Sequence, residues 1–144
     1  MSQQLKTPTL IDVRGPRFSA AITVIVLAIA LATQNAWVLA LQAVVFAIGA
    51  IRGPQFTPYA FIFKRVVKPR LRGEVVTEDS RPPQFAQTVG FLFALAGLLG
   101  AAIGSSLVFG IAVGFALAAA FLNSVFNYCL GCEMYLLVLR IRTR

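Results

Sequence analysis

The chain has 144 residues, enough for one compact domain, but 58% of them are hydrophobic and the mean hydropathy is +0.81. Values this high exceed those of ordinary soluble domains and predict an integral membrane protein. The 13 basic and five acidic residues give a net charge of +8, and the chain has no histidine. With no imidazole and few carboxylates, the composition disfavours a hydrolase, a polymerase or a histidine metal site.

Two long stretches without a charged residue predict the membrane spans. They cover residues 18–51 and 84–132, and each is longer than the roughly 20 residues that cross a bilayer core once. The amides of Gln34 and Asn35 interrupt the first stretch, and a Gly-Ser-Ser tripeptide at 104–106 interrupts the second. The sequence therefore predicts an all-α protein with four spans. The predicted spans are residues 18–33, 36–51, 87–103 and 107–128.

The distribution of lysine and arginine predicts the orientation in the membrane. All 13 basic residues precede the first span, lie between the two hairpins or follow the last span. Cytoplasmic loops carry such an excess, so we expect both termini on the cytoplasmic side of a bacterial plasma membrane. Basic clusters beside apolar spans favour contact with anionic lipids over nucleic acid. We expect no nucleic-acid partner and no cleaved signal peptide.

A seven-residue pattern occurs twice along the chain. Asp-x-Arg-x-Pro-x-Phe begins at Asp12 and again at Asp79, 67 positions later, and it introduces a hairpin each time. The pattern predicts two parallel helical-hairpin repeats within one membrane domain. The predicted bounds are 1–144 for the domain and about 12–72 and 79–144 for the repeats. In these arms we expect Asp12 to pair with Arg14 and Asp79 with Arg81, mainly to anchor the helices.

A short cytoplasmic interfacial helix is predicted after each hairpin. In the first half, Thr57 as the cap and Pro58 at the first position are helix-start signals. A shift of about 75 positions places Pro54 opposite Cys129 and Thr57 opposite Cys132 in the second half. The two cysteines therefore stand where the second interfacial helix begins.

Cys129-x-x-Cys132 at a helix start predicts a reactive thiol pair. A thiol there faces unpaired backbone N–H groups and the positive end of the helix dipole, which lowers its pKa. The spacing lets a disulfide close over two residues, with Gly131 expected to relieve the backbone. A cytoplasmic location disfavours a merely structural disulfide. The residues that we predict to support the two catalytic cysteines are Gly131, Glu133, Asn127 and Asn123.

Other interpretations of the polar and small residues remain open. The cysteines could pack as small hydrophobic side chains, and a zinc site would require a dimer or Glu133 and water, so we predict no metal. Buried amides such as Gln42 commonly form interhelical hydrogen bonds. We expect glycines to allow close helix packing, at positions 97, 100, 104, 110 and 114. No cofactor is predicted, although a quinone and a homodimer are compatible with the spans.

Several of these residues together resemble a known family. They are Asp12 to Phe18, Gly53-Pro54, Pro58-Tyr59, Arg81 to Phe85, Phe121 to Asn123 and Cys129-Leu-Gly-Cys-Glu133. Over about Pro8 to Arg140 the chain resembles DUF4395, a family of small, mostly bacterial membrane proteins. Members of that family tend to be encoded near thioredoxin-like and rhodanese-like sulfurtransferase proteins. The resemblance therefore implies sulfur chemistry and a soluble partner of one of these kinds.

Three functions are compatible with the sequence. In the first, one cysteine attacks a disulfide or persulfide of the soluble partner and the other cysteine resolves the product, and spacing does not assign the two roles. In the second, the protein transports a small sulfur compound, although no charged group lies within a predicted span. In the third, a non-catalytic subunit docks sulfur enzymes at the membrane and uses the cysteines only for packing.

Overall fold

The structure, a computed structural model, describes residues 10–73 and 75–142. These residues form six α-helices and two short strands, which confirms the predicted all-α class. In chain order the elements are β1 Leu10–Asp12, α1 Arg14–Thr33, α2 Ala36–Ile51, α3 Pro58–Ile62, β2 Thr77–Asp79, α4 Arg81–Ala102, α5 Ser106–Phe126 and α6 Leu130–Arg142. A π-helical turn, Phe63–Val67, continues α3.

Three of the described helices are long and apolar enough to cross a membrane. They are α1, α4 and α5, with 20, 22 and 21 residues. The predicted second span is the apolar helix α2, whose bounds match the prediction although its 16 residues are fewer than one full crossing usually needs. Both α1 and α4 begin earlier than predicted. Proline is tolerated in a first helical turn, so the arm residues Pro16 and Pro83 belong to the helices.

The two predicted breaks are confirmed as tight turns between helices. Gln34 ends α1 in the left-handed conformation with φ 53°, and Gly104 does so after α4 with φ 76°. Asn35 and Ser105 then cap the next helices, because their side-chain oxygens accept backbone N–H groups at 2.9 and 3.2 Å. Each short turn reverses the direction of the chain. Helices α1 and α2 therefore form one hairpin, and α4 and α5 form another.

The two hairpins pack into one bundle. Helix α1 lies along α5, and α2 lies along α4, which also contacts α5. The fully buried side chains Leu27, Leu39 and Phe109 lie at these contacts. Glycines 97 and 100 allow the approach of neighbouring helices, as predicted, because an added Cβ would lie 2.7 to 2.8 Å from Leu39 and Phe109. The same prediction is wrong for glycines 104, 110 and 114, which face open space on the described chain.

The two arms lie side by side and carry the same ion pair. Strands β1 and β2 are antiparallel, with Ile11 opposite Glu78. As expected, Asp12 binds Arg14 and Asp79 binds Arg81, with guanidinium-to-carboxylate distances of 2.8 and 2.6 Å. The side-chain hydrogen bonds from the arginines hold the pKa of both aspartates below its usual range. The arms are therefore charged and paired at neutral pH.

A partly buried hydrogen bond fixes α3 to the bundle. Thr57 caps α3, and the Tyr59 hydroxyl donates to Oε1 of Gln42 at 2.7 Å. Gln42 is fully buried and lies nine residues before the end of α2 at Ile51. That separation corresponds to about 13 Å along the helix axis. The predicted role of Gln42 as a hydrogen-bonding residue is confirmed, and its partner lies on α3 rather than on another long helix.

We predict that Tyr59→Phe lowers the free energy of unfolding by about 1 to 2 kcal/mol, because the buried Gln42 oxygen loses its donor. Adding Gln42→Leu to this variant should restore part of the loss, since both polar partners are then gone. Denaturation of the purified chain in detergent measures both effects. Tyr128→Phe, at an exposed tyrosine, is the control and should leave the stability unchanged. Equal stability of Tyr59→Phe and the unaltered chain would contradict the assignment.

Candidate functional site

Cys129 is the residue that begins α6. Its carbonyl accepts the backbone N–H of Glu133 at 3.0 Å, and its Sγ accepts the backbone N–H of Cys132 at 3.2 Å. The Sγ thus takes the position of a capping side chain, which satisfies one of the unpaired N–H groups of a helix start. Cys129 and Cys132 form a disulfide, with their Cα atoms 5.2 Å apart. As the sequence predicted, the cysteine pair stands at a helix start.

The structure corrects the alignment between the two halves. Thr57 caps α3 with its side chain, and the residue that does the same for α6 is Cys129, not Cys132. The offset after the hairpins is therefore 72 positions rather than 75. Six residues after each cap an aromatic ring, Phe63 or Tyr135, packs on the phenylalanine of the preceding arm at 5.8 or 5.6 Å between centroids. The same offset aligns these rings.

Gly131 has a different role from the predicted one. It lies inside α6 with ordinary helical backbone, so it does not relieve the turn between the cysteines. It is buried, and a Cβ added to it would overlap both Cα and Cβ of Ala86 on α4. The missing side chain therefore allows α6 to touch α4 directly. This contact places the cysteine pair beside the second turn of α4.

The other predicted supporting residues lie around this helix start with separate roles. Glu133 is exposed on the first turn of α6, where a carboxylate faces the positive end of the helix dipole. Asn127 ends α5 in the left-handed conformation with φ 54°, and so it turns the chain toward the cysteines. Asn123 is half-buried on α5, one turn before that point.

The arm residues are divided between two regions. Asp79 and Arg81 stand at the start of α4, the helix on which α6 packs. Asp12 and Arg14 instead lie beside Lys68, whose Nζ is 3.7 Å from the Asp12 carboxylate. Of the predicted arm residues, Asp79 and Arg81 are thus near α6, whereas Asp12 and Arg14 are near Lys68.

Sequence reasoning missed a cavity of about 200 Å³ beside the first arm, which apolar and polar residues line together. Its polar lining comes from residues that are distant along the chain: Asp12, Ser19, Gln55, Lys64, Lys68 and Gln87. The one available signal was a glutamine, Gln87, at the start of the predicted third span. A single polar residue at a span end has no distinctive spacing, so the pattern did not reveal the cavity.

Comparison with known families supports the resemblance noted in the sequence. A family model described as a domain of unknown function (DUF4395) matches residues 11–140. Curated proteins and solved structures give no match to the chain. The match covers both arms, all the long helices and the cysteine pair.

We predict that Gly131→Ala destabilises the protein by about 1 to 3 kcal/mol, because the added methyl group cannot fit against α4. Ala86→Gly in the same chain should not restore the stability, since the Cα of residue 86 also blocks the methyl group. Unfolding in detergent measures the loss. The matched control is Gly110→Ala, at a helical glycine with open space around it, which should be neutral or slightly stabilising. Equal effects at positions 131 and 110 would show that α6 does not touch α4.

Proposed function

The chain belongs to the DUF4395 family, and we propose that it is a four-span membrane protein that exchanges disulfides or sulfur with a soluble partner through Cys129 and Cys132. The observation that carries this proposal is the capping position of the Cys129 sulfur at the start of α6.

Four crossings are supported by the way α2 is connected and packed. Only Gln34 and Asn35 separate α2 from α1. Helix α2 also lies along α4, which is long enough to cross the bilayer. A helix that follows a crossing helix after a two-residue turn returns through the same bilayer. At about 24 Å, α2 is a short crossing, which a locally thin bilayer accommodates at modest cost.

The geometry of the arms supports parallel repeats. The strand partners Ile11 and Glu78 are 67 positions apart, which is the offset between the two arm patterns. Leu10 pairs with Asp79, and Asp12 pairs with Thr77. A rotation that exchanges the two strands therefore leaves this set of pairs unchanged. Such a relation corresponds to a two-fold axis between the arms, near the membrane normal. Both arms then lie on one face, and the positive-inside rule makes that face cytoplasmic.

Cys129 is the attacking residue in the proposed reaction. A thiolate at this position keeps the Cys132 N–H as a donor and faces the positive end of the α6 dipole, which favours the charged form. Cys132 lies one turn further inside the helix, within reach of Cys129, as their disulfide demonstrates. Cys132 therefore resolves the product.

The reaction with a partner disulfide balances as a two-electron exchange. The Cys129 thiolate attacks one partner sulfur, forms a mixed disulfide and releases the other partner sulfur as a thiolate. The Cys132 thiolate then attacks Cys129, which closes the intramolecular disulfide and releases the second partner thiolate. Cys129 and Cys132 together give up two electrons and two protons. The partner disulfide accepts these electrons and protons and becomes a dithiol.

A partner persulfide reacts by the same steps. Cys129 attacks the outer sulfur of the persulfide, takes that sulfur over and releases the partner thiolate. Attack by Cys132 on Cys129 then closes the disulfide and releases hydrogen sulfide anion, so the transferred sulfur is the atom that is reduced. A thioredoxin-like or rhodanese-like protein is the partner class that the family resemblance implies. A cytoplasmic face with a chain charge of +8 attracts an acidic surface of such a partner.

The order of attack predicts which single variant traps the partner. Cys132→Ser leaves the attacking sulfur without its resolving residue, so the mixed disulfide with an oxidised thioredoxin-like protein should accumulate at Cys129. Cys129→Ser should accumulate at least about tenfold less, because the remaining thiol lies inside α6 and lacks the capping position. Non-reducing gel electrophoresis with mass spectrometry of the linked peptides measures both.

The double Cys129→Ser, Cys132→Ser variant is the control and should trap nothing. Equal trapping by both single variants would contradict the assignment of Cys129. Trapping by neither variant, with thioredoxin-like and persulfide-bearing partners alike, would favour a non-catalytic docking subunit.

A further inference from the structure

The cavity beside the first arm has the features of a binding site that the cysteine chemistry does not use. It has a volume of about 200 Å³ and lies between the first arm, the start of α1, the segment after α2 and the second turn of α4. Ser19, which is buried, and Gly15 form its α1 wall, and Gln87 reaches it from α4. Ala86, next to Gln87, instead contacts Gly131. The cavity and the cysteine pair therefore lie on different faces of α4.

Two residues that line the cavity carry buried acceptor oxygens without donors. Oε1 of Gln55 and Oε1 of Gln87 are buried and have no hydrogen-bond partner among the described residues. Gln87 extends over Gly49, where an added Cβ would lie 2.7 Å from its Cγ. The absence of a side chain at position 49 thus leaves the space that the Gln87 side chain occupies, out to its Oε1, which would lie 2.9 Å from the added Cβ. Buried unpaired acceptors are unfavourable, and a ligand with N–H or O–H groups would satisfy them.

The same cavity carries an excess of positive charge. Lys64 Nζ donates to the Gln55 carbonyl at 3.0 Å, which is a neutral acceptor. Lys68 Nζ lies 3.7 Å from the Asp12 carboxylate, but Arg14 already binds both oxygens of that carboxylate at 2.8 to 3.1 Å. The Asp12 carboxylate thus faces two cationic side chains, and Lys64 lines the same cavity with only a neutral acceptor as its described partner. An anion placed between Lys64 and Lys68 would balance the surplus charge.

We propose that this cavity binds a phosphate group that carries a hydrogen-bond donor, either on the phosphate itself or on its ester. The phosphate oxygens accept from Lys64 and Lys68, and the donor reaches Gln55 and Gln87. The cavity lies beside the arm and the first turns of α1, which is the level of lipid head groups if the long helices span the bilayer. The phosphate belongs either to a head group with a hydroxyl or ammonium donor or to a free phosphate.

The two sources are separated by their effects on thermal stability. The full chain, purified in detergent and freed of lipid, is heated with each probe at constant ionic strength, and the rise in Tm gives an apparent Kd. The soluble probes are hydrogen phosphate and sulfate, which lacks a donor at neutral pH. The lipid probes are short-chain phosphatidylglycerol, phosphatidylethanolamine and phosphatidylcholine, of which the last lacks a donor. Preference for hydrogen phosphate over sulfate indicates free phosphate, and preference for the first two lipids over the third indicates a head group.

Variants at the cavity test whether the preference arises there. Lys64→Gln and Lys68→Gln should each raise the apparent Kd of the preferred probe about tenfold, as expected for a charged hydrogen bond. Gln87→Leu should abolish the preference for donor-bearing probes while a weaker response to the anion persists. Arg72→Gln removes one exposed charge outside the cavity and should change the Kd less than twofold. Equal responses to all probes, or equal losses in Lys64→Gln and Arg72→Gln, would overturn the proposal.

Discussion

The close contact between Gly131 and Ala86 determines where the cysteine pair lies. Because residue 131 has no side chain, α6 meets α4 at backbone distance, and the cap residue Cys129 is held two positions away from that contact. Asn127 supplies the turn that brings the chain from α5 to this place. A helix start held by packing keeps its N–H groups directed at the sulfur, and the proposed reactivity depends on that arrangement.

The two halves share a plan but differ at this point. Each has an aspartate-arginine arm, a capped helix after the hairpin and an aromatic ring that packs on the arm. In the second half α6 packs directly on α4. In the first half the corresponding segment leaves a cavity against α1, and the Tyr59 hydroxyl donates to the buried Gln42. Under the proposed repeat and the two proposed functions, the second half carries out the sulfur chemistry and the first half binds the phosphate.

Local chemistry explains which parts of the structure could be predicted from the sequence. The end of α1 and the start of α2 follow from two amides between apolar runs. The start of α3 follows from Thr57 before a proline. These bounds therefore agree with the structure. The helix start at the cysteines was instead predicted by alignment with the first half, and the capping residue is Cys129 rather than the aligned Cys132. The contact of Gly131, the open environment of Gly110 and the reach of Gln87 into the cavity depend on which helices face each other. No local pattern contains that information.

The proposed reactivity of the cysteine pair can be tested in inside-out vesicles. A charged, membrane-impermeant reagent alkylates the reduced cysteines, and the rate at each cysteine is measured against pH. If the start of α6 stabilises the thiolate, Cys129 reacts faster than Cys132, with a midpoint clearly below the pKa of about 8.5 of an ordinary thiol. Modification only in right-side-out vesicles would place the pair on the wrong face. Midpoints of about 8.5 or higher for both cysteines would contradict the proposed effect of the α6 helix start.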